Sequence, residues 1–377
     1  METTDGGGRR DRACAGGLPK DARDEDDSAG GLLWDAGDEA GRLRFVCSFP
    51  EALGTGIVIN TAREVDSALL TRMRELIDGY EAALSRFRDD SVLASMAESG
   101  QGGTFDFPDY CSGLFDLYDL LYQVTDGGVD PAVGADLERL GYGRDLTLVM
   151  QEGARDHLGR IHGRATWGRD VVHEGCRLTT AGPVHLDFGG AGKGFLVDLL
   201  ADLLEGAGHA IRTSAAMADE VGGYVIDAGG DMRIRSPRPI AIGMEDPDDL
   251  TRAVGEVEVA SGSFCASAPS RRRWGEADLK EGRPGLTALH HILNAVDGLP
   301  VQRVEATWVL VGGDQVSPAD GAGLSNRPTA LADGLCTALF LCDPGALADV
   351  FDFSCALLGP DRRALMSQGF PGEFFTA

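Results

Sequence analysis

The chain has 377 residues, of which 43% are hydrophobic, and this is enough for one large domain or two. Its formal net charge of −26 argues against nucleic acid or an anionic membrane as a partner, because both are negatively charged. No run approaches the roughly 18 apolar residues of a membrane-spanning helix. The eight cysteines are scattered without a CxxC pair, which favours buried free thiols over a disulfide framework or a zinc site.

Residues 1–43 are rich in Gly, Asp and Arg, and this composition predicts a disordered tail. We therefore expect the folded domain over residues 44–373. The tail lacks the apolar segment of a signal peptide, and Cys14 lies among polar residues rather than in a lipobox. These features predict a cytoplasmic protein.

Two strands, at residues 44–50 and 54–60, are predicted to open the domain. Thr61 and Glu64 have the spacing of a capping box, which predicts that a long helix begins there. A second helix is expected at residues 110–123, where apolar residues recur at helical spacing.

The second half of the chain is richer in short strands. The composition of residues 144–182 predicts a long loop-rich segment that contains edge strands. Residues 209–222 are expected to form a surface loop. Strands are expected at residues 224–227, 232–235, 240–244, 254–260, 264–267 and 307–311. The last strong helix is expected at residues 329–341. Long helices combined with runs of consecutive strands favour an α+β fold with mixed sheets over a doubly wound sheet.

The segment from Leu186 to Asp198 places four glycines and Lys193 at the beginning of an amphipathic run. Glycines let a backbone approach a ligand closely, and the N-terminus of a helix favours an anion. With the charge of Lys193, the segment predicts a phosphate or pyrophosphate site. It is not a P-loop, since Gly194 stands where that motif has Ser or Thr. The alternative is a tight turn with a solvated lysine.

Asp333 and Thr337 lie four residues apart in the last predicted helix, so their oxygens point to one side. A carboxylate together with a hydroxyl suits a hard cation such as Mg²⁺. The helix is apolar nearly all round, and a buried carboxylate there needs a partner. The alternative is an ordinary helix with one polar face.

Three further groups have both a functional and a structural interpretation. His290 and His291 lie at a predicted strand end, where either is a base, a phosphate contact or a structural residue. The basic run 271–273 fits a phosphate contact, an acidic partner or a solvated turn. Phe87 and Tyr142 fit stacking on a planar ring or a place in the core.

Taken in chain order, these segments resemble the ApbE family, the FAD:protein FMN transferases, from about residue 45 to about residue 360. The segment from Leu186 to Asp198 resembles the family's LDLGGIAKGYAVD, and residues 329–339 resemble its AxxADALATAL helix. The other matching segments are residues 53–55, 84–93, 129–134, 140–143, 227–231, 242–247 and 291–301. The resemblance implies a single catalytic unit with the α+β, T-fold-like arrangement of the family.

The resemblance also implies a reaction, the Mg²⁺-dependent transfer of FMN from FAD to a Thr or Ser hydroxyl of an acceptor protein, with release of AMP. FAD would be a substrate, and the flavinylation motif would lie in the acceptor, because this chain has none. The implied metal ligands are the carbonyl of Gly190, Asp333 and Thr337, and the implied catalytic residues are His291 and Asp333. The implied FAD contacts are Leu53, Phe87, Val129, Asp130, Asp187, Lys193 and Leu293.

The chain departs from the family pattern at two places. Ala266-Ser267-Ala268 stands where the family has TSG, and Asn294 replaces the aspartate of its HIIDP segment. Both departures concern the acceptor side more than FAD or metal binding. Two alternatives therefore stay open: an FAD pyrophosphatase that gives FMN and AMP, and an FAD-binding protein without catalytic activity.

Overall fold

The computed structural model describes residues 43–209, 222–275, 288–312 and 326–375. The predicted tail, apart from Leu43, lies outside the described residues, as does the predicted loop at 209–222 apart from its two end residues. Among the helices that are described, none is long and apolar enough to cross a membrane.

The described part of the chain contains eight α-helices: α1 (Ser67–Leu84), α2 (Val92–Glu98), α3 (Ser112–Val124), α4 (Gly134–Arg139), α5 (Trp167–Asp170), α6 (Gly192–Gly206), α7 (Pro328–Ala338) and α8 (Pro344–Ala348). The strands are β1 (Phe45–Phe49), β2 (Ile57–Thr61), β3 (Gly103–Asp106), β4 (Val171–Glu174), β5 (Arg177–Thr180), β6 (Tyr224–Asp227), β7 (Asp231–Asp246), β8 (Asp249–Ser267), β9 (Arg273–Trp274), β10 (Leu289–His290), β11 (Leu293–Asn294), β12 (Leu299–Pro300), β13 (Ala306–Gly312), β14 (Ser354–Leu358), β15 (Ala364–Met366) and β16 (Gly372–Phe374).

A nine-stranded antiparallel sheet forms the centre of the fold, in the order β1-β2-β6-β7-β8-β13-β14-β15, and β16 pairs with β8. Smaller sheets are formed by β3-β5-β4, by β10-β9 and by β11-β12. Helices thus pack with antiparallel sheets rather than alternating with parallel strands, which confirms the predicted α+β class.

Both faces of the central part of the sheet carry buried side chains, and successive residues of each strand point to opposite faces. Ile226 belongs to the larger hydrophobic cluster, which also contains residues of α1, α3, α6 and α7. Its neighbour Val225 belongs to a second cluster with Phe264 and Trp308. Helices α6 and α7 therefore pack side by side on the face of the sheet that contains Ile226.

Helix α1 begins later than the capping box predicts. Thr61 is the last residue of β2, where it pairs with Tyr224, and its hydroxyl donates a hydrogen bond to the Arg63 carbonyl (2.7 Å). Asp66 caps the helix instead, accepting a hydrogen bond from the backbone N–H of Leu69 (2.8 Å). The capping-box prediction is wrong because strand pairing holds Thr61 in an extended conformation.

Strands β7 and β8 are each longer than predicted. Pro237 and Pro239 lie inside β7, at a register shift in its pairing with β8, and prolines are tolerated at such irregularities. Gly262 lies inside β8 and pairs with Ile234 on one side and Gly312 on the other. Gly262 is thus held in β8 by pairing on both sides, whereas the two prolines lie between the paired residues Arg235 and Ile240.

All seven described cysteines are free. Cys265, Cys336 and Cys355 are buried, as predicted, whereas Cys47 is only partly buried. Burial raises the pKa of Cys265 and of Cys336 well above the usual value, so these two thiols stay protonated and unreactive.

Candidate functional site

The glycine-rich segment forms a turn that leads directly into α6. Val184 and Leu186, before the turn, are buried and do not belong to a strand. The carbonyl of Phe188 accepts a hydrogen bond from the N–H of Gly192 (2.8 Å), where the helix begins. Lys193 therefore lies in the first turn of α6, as the sequence predicts.

Helices α6 and α7 approach each other closely at Gly194. A Cβ atom there would lie only 2.3 Å from the carbonyl oxygen of Thr329. The N–H of Gly194 donates a hydrogen bond to Oδ2 of Asp333 (3.0 Å). The glycine is thus required by helix packing, and the carboxylate of α7 partly satisfies the N-terminus of α6.

Asp198 joins the same two helices one turn further along α6. Its carboxylate accepts hydrogen bonds from the backbone N–H groups of Thr329 and Ala330 (both 2.9 Å) and from the Thr329 hydroxyl (2.6 Å). Burial raises the pKa of Asp198 to about 6, and the hydrogen bonds offset only part of this effect. Asp198 therefore caps α7 and fixes Asp333 relative to Lys193.

Lys193 lies between two buried carboxylates. Its Nζ is 2.5 Å from Oδ2 of Asp231 and 3.4 Å from each oxygen of Asp333. Burial opposes the charge of Lys193, but Asp231 and then Asp333 outweigh burial and raise its pKa above the usual value. Burial, and then the charge of Asp333, raises the pKa of Asp231 to about 7. The cluster holds one ammonium for two carboxylates and attracts further positive charge.

The three predicted metal ligands come together beside this cluster. The Thr337 hydroxyl donates a hydrogen bond to the Gly190 carbonyl (3.0 Å), and Asp333 lies one helical turn before Thr337. Asp333 is almost fully buried. A carbonyl, a hydroxyl and a carboxylate are the hard oxygen donors that Mg²⁺ prefers, so these residues fit the ion. Asp333 contacts Lys193 as well, so an ion bound there would share this carboxylate with the ammonium.

Asp187 anchors the other end of the glycine-rich turn. Its Oδ1 accepts a hydrogen bond from the N–H of Gly189 (2.6 Å), and its Oδ2 accepts one from Nε of Arg86. Arg86 lies against the rings of Phe87 and Tyr142. Arg86 thus contacts both Asp187 and Phe87, two residues predicted to bind FAD. The sequence pattern does not single out Arg86 itself.

The two adjacent histidines differ in their surroundings. His290 is engaged at both ring nitrogens, with the Val301 carbonyl (2.8 Å) and the Ile292 N–H (3.3 Å), and burial lowers its pKa to about 4. Nδ1 of His291 is shielded from solvent and has no partner among the described residues. Burial, and then the charge of Arg272, lowers the pKa of His291 well below the usual value. His290 therefore stabilises its turn, and His291 is the neutral imidazole with a free nitrogen.

Four more residues are predicted to contact FAD: Leu53, Val129, Leu293 and Asp130. Leu53 adopts a left-handed conformation (φ 56°), and its N–H donates to Oε1 of Glu81 (2.7 Å). Val129 and Leu293 are buried, and their segments are joined by a backbone hydrogen bond from Ala295 to Gly128.

Asp130 is also buried, and both of its carboxylate oxygens are already engaged. Oδ1 accepts from the N–H groups of Ala132 (2.8 Å) and Trp167 (3.1 Å), and Oδ2 lies 3.4 Å from Arg164. Its observed contacts are with protein groups, and a contact with FAD stays a prediction.

A second group of possible metal ligands lies where α3 meets β4. Ligand atoms of Asp116, Asp119 and His173 lie within 4.8 Å of one another, beside a cavity of about 370 Å³. The imidazole already contacts both carboxylates, at 3.3 and 3.1 Å. The imidazole thus already serves as a shared hydrogen-bonding partner of both carboxylates.

The fold resembles those of solved ApbE proteins. The ApbE protein from Thermotoga maritima is 20% identical and superimposes with a TM-score of 0.64, covering 86% of this chain and 98% of that one. Flavin transferase ApbE from Vibrio cholerae gives the same identity and TM-score, with 86% and 97% covered. The flavinyl transferase ApbE of Pseudomonas stutzeri is 18% identical, with a TM-score of 0.58 and coverage of 86% and 96%. The search of curated proteins found no match.

The sequence gives the family assignment independently of these folds. The model of the ApbE family matches residues 53–354, which contain the glycine-rich turn, β6 to β8, both histidines and α7. The match spans most of the chain and every segment of the site described above. This chain therefore belongs to the ApbE family.

Proposed function

We propose that this chain transfers FMN from FAD to a Thr or Ser hydroxyl of an acceptor protein, with Mg²⁺ as the metal and AMP as the leaving product. The observation that carries the proposal is the placement of Lys193, in the first turn of α6, between Asp231 and Asp333 and beside the pair formed by Gly190 and Thr337. Oxygen donors, an ammonium and a helix N-terminus suit a diphosphate with its metal. The solved relative from Vibrio cholerae carries the name flavin transferase.

The reaction breaks one bond and forms one. The acceptor hydroxyl oxygen attacks the phosphorus on the FMN side, the P–O bond to the bridging oxygen breaks, and AMP leaves with that oxygen. The hydroxyl proton is assigned to His291, whose Nδ1 has no hydrogen-bond partner among the described residues and whose neutral form has a lone pair to accept it. The negative charge of the bound diphosphate would raise the pKa of His291 and strengthen it as a base.

The remaining roles concern binding and charge. A Mg²⁺ ion held by Gly190, Asp333 and Thr337 would neutralise charge on the diphosphate. Lys193 contributes a second positive charge, and phosphoryl transfer depends largely on such neutralisation and positioning. Asp333 shares the catalytic role through its contacts with Lys193 and Gly194. We assign Leu53, Phe87, Val129, Asp130, Asp187 and Leu293 to the FAD pocket.

The departures from the family pattern leave the local backbone intact. The side-chain carbonyl of Asn294 accepts a hydrogen bond from the N–H of Val296 (3.0 Å), which an aspartate would also do. Ala266 keeps its place in β8 opposite Trp308, and its N–H donates to the Gly230 carbonyl (3.2 Å). The two departures therefore do not by themselves argue against transfer.

One assay separates the three functions. The protein is incubated with FAD, Mg²⁺ and a short acceptor domain carrying an Asp-x-x-[Ser/Thr]-Gly-Ala-[Ser/Thr] motif. Transfer gives a covalently fluorescent acceptor in a denaturing gel, together with AMP. Free FMN and AMP without labelled acceptor would identify a hydrolase, and bound but intact FAD would identify a binding protein. Asp333→Asn should abolish product, whereas Asp126→Asn, at a fully exposed carboxylate, should not.

A further inference from the structure

Arg86 is a buried cation with two unused donors. The residue is only 9% exposed, and its Nε donates to Asp187. Nη1 and Nη2 are shielded from solvent, and neither has a hydrogen-bond partner in the part of the chain that the structure describes. Unpaired buried donors are costly, especially on a charged group, so this arrangement calls for a ligand with acceptor atoms.

Aromatic rings surround this guanidinium. Its central carbon lies 4.2 Å from the ring centre of Phe87 and 5.1 Å from that of Tyr142. Tyr142 stacks in turn on Trp274, with ring centres 5.4 Å apart and planes within 19°. Phe87 is the exposed member of the group, at 41% exposure. These three rings, which we call the aromatic recess, suit a planar ligand, and Phe87, the ring nearest to the guanidinium, is partly exposed to solvent.

The charges around Arg86 distinguish between possible ligand groups. Asp187 already neutralises the guanidinium, whereas the ammonium of Lys193 lies with Asp231 and Asp333 at the start of α6. Since the charge of Arg86 is already balanced, its site does not call for a charged phosphate; under the proposed function the diphosphate lies near Lys193 together with its Mg²⁺. The free nitrogens of Arg86 suit a pair of adjacent uncharged acceptors at the edge of a planar ring.

We propose that Arg86 recognises the pyrimidine edge of the isoalloxazine ring, donating from Nη1 and Nη2 to a ring nitrogen and the adjacent carbonyl oxygen. Phe87 covers the guanidinium in the free protein and turns outward to admit the flavin. The choice of flavin as the ligand rests on the proposed function. The site itself rests on the unpaired nitrogens and the aromatic recess.

The test measures binding of two fragments, riboflavin and ADP, to the full chain. Arg86→Lys keeps a positive charge beside Asp187 but removes the two-pronged donor. Loss of two hydrogen bonds should weaken riboflavin affinity about tenfold or more, while ADP affinity should change less than about twofold. Arg144→Lys is the matched control, since Arg144 is half-exposed and pairs with Asp89 in the same loop. It should leave both affinities unchanged.

Three results would overturn the proposal: no measurable riboflavin binding to the wild-type protein, equal riboflavin affinity in Arg86→Lys, or a parallel loss of ADP affinity. Circular dichroism and Tm establish that the variant is folded. Should Arg86→Lys not fold, Phe87→Ala decides: faster riboflavin association supports a displaced cover, and an unchanged association rate rejects it. If riboflavin binding depends on Arg86 but the protein transfers no FMN, the proposed function is wrong and the assignment of the Arg86 site still holds.

Discussion

Lys193 lies nearer to Asp231 than to Asp333, with Nζ 2.5 Å from the first carboxylate and 3.4 Å from the second. Asp231 begins β7, at the centre of the large sheet, whereas Asp333 belongs to α7. The lysine therefore connects the sheet to both helices of the site. This arrangement assigns Asp231 a positioning role, because it draws the ammonium away from the carboxylate proposed to bind the metal.

Replacement of Asp231 by Asn should raise the Mg²⁺ concentration needed for half-maximal activity by roughly tenfold, because Lys193 would then pair with Asp333 alone and compete with the ion. The measurement is FMN transfer over a Mg²⁺ titration, together with Mn²⁺ binding followed by electron paramagnetic resonance without FAD. Unchanged Mn²⁺ affinity in the Asn variant would show that Asp231 does not control this competition.

The Thr337→Val variant tests the metal site directly. Valine keeps the shape of threonine but loses the hydroxyl that contacts the Gly190 carbonyl. We expect Mn²⁺ affinity to fall at least about tenfold, since even indirect changes at metal sites reach this size. Asp119→Asn, in the group formed with Asp116 and His173, is the control and should leave affinity unchanged. The opposite pattern would place the ion at α3 and β4.

Gly194→Ala should be severely destabilising, because its Cβ would meet the Thr329 carbonyl at 2.3 Å and force α6 away from α7. We expect a loss of about 3 kcal/mol or more in the free energy of unfolding, measured with urea. Gly206→Ala is the matched control at the other end of α6, where a Cβ meets nothing within 4 Å. It should be neutral or slightly stabilising. Equal effects of the two substitutions would contradict the close approach.

Stability should respond to pH through Asp227. Burial raises its pKa from 3.8 to about 6, despite hydrogen bonds from the N–H groups of Gly230 and Gly229. The folded protein thus holds the proton more tightly than the unfolded chain. The contribution of Asp227 to stability is complete below about pH 3.8 and is lost as the pH rises through about 6.

The Asp227→Asn variant isolates this effect, because an amide still accepts the 2.9 Å hydrogen bond from Gly230 but cannot ionise. At pH 8 the variant should be more stable than the wild type by about 2–3 kcal/mol, and the difference should vanish towards pH 4. Chemical denaturation at the two pH values measures it. A difference of the same size at both would rule out ionisation as its cause.

Local patterns predict much of this fold and part of the site. The apolar spacing after Lys193 predicts α6, and the apolar residues around Asp333 predict its burial, because both depend on near neighbours in the chain. The same reasoning fails at Thr61, where pairing with Tyr224, distant in sequence, outweighs local preference, and at Gly262, which β8 holds between two paired strands.

Short-range chemistry in the sequence thus suffices to predict an acidic α+β protein, a glycine-rich anion site at a helix start and a helix with a carboxylate and a hydroxyl on one side. Only the tertiary structure brings Asp231 to Lys193, caps α7 with Asp198, separates the roles of His290 and His291, and leaves two nitrogens of Arg86 unpaired. These relationships join residues far apart in the chain, and burial gives each its energetic weight. Spacing along the sequence carries neither the distances nor the burial.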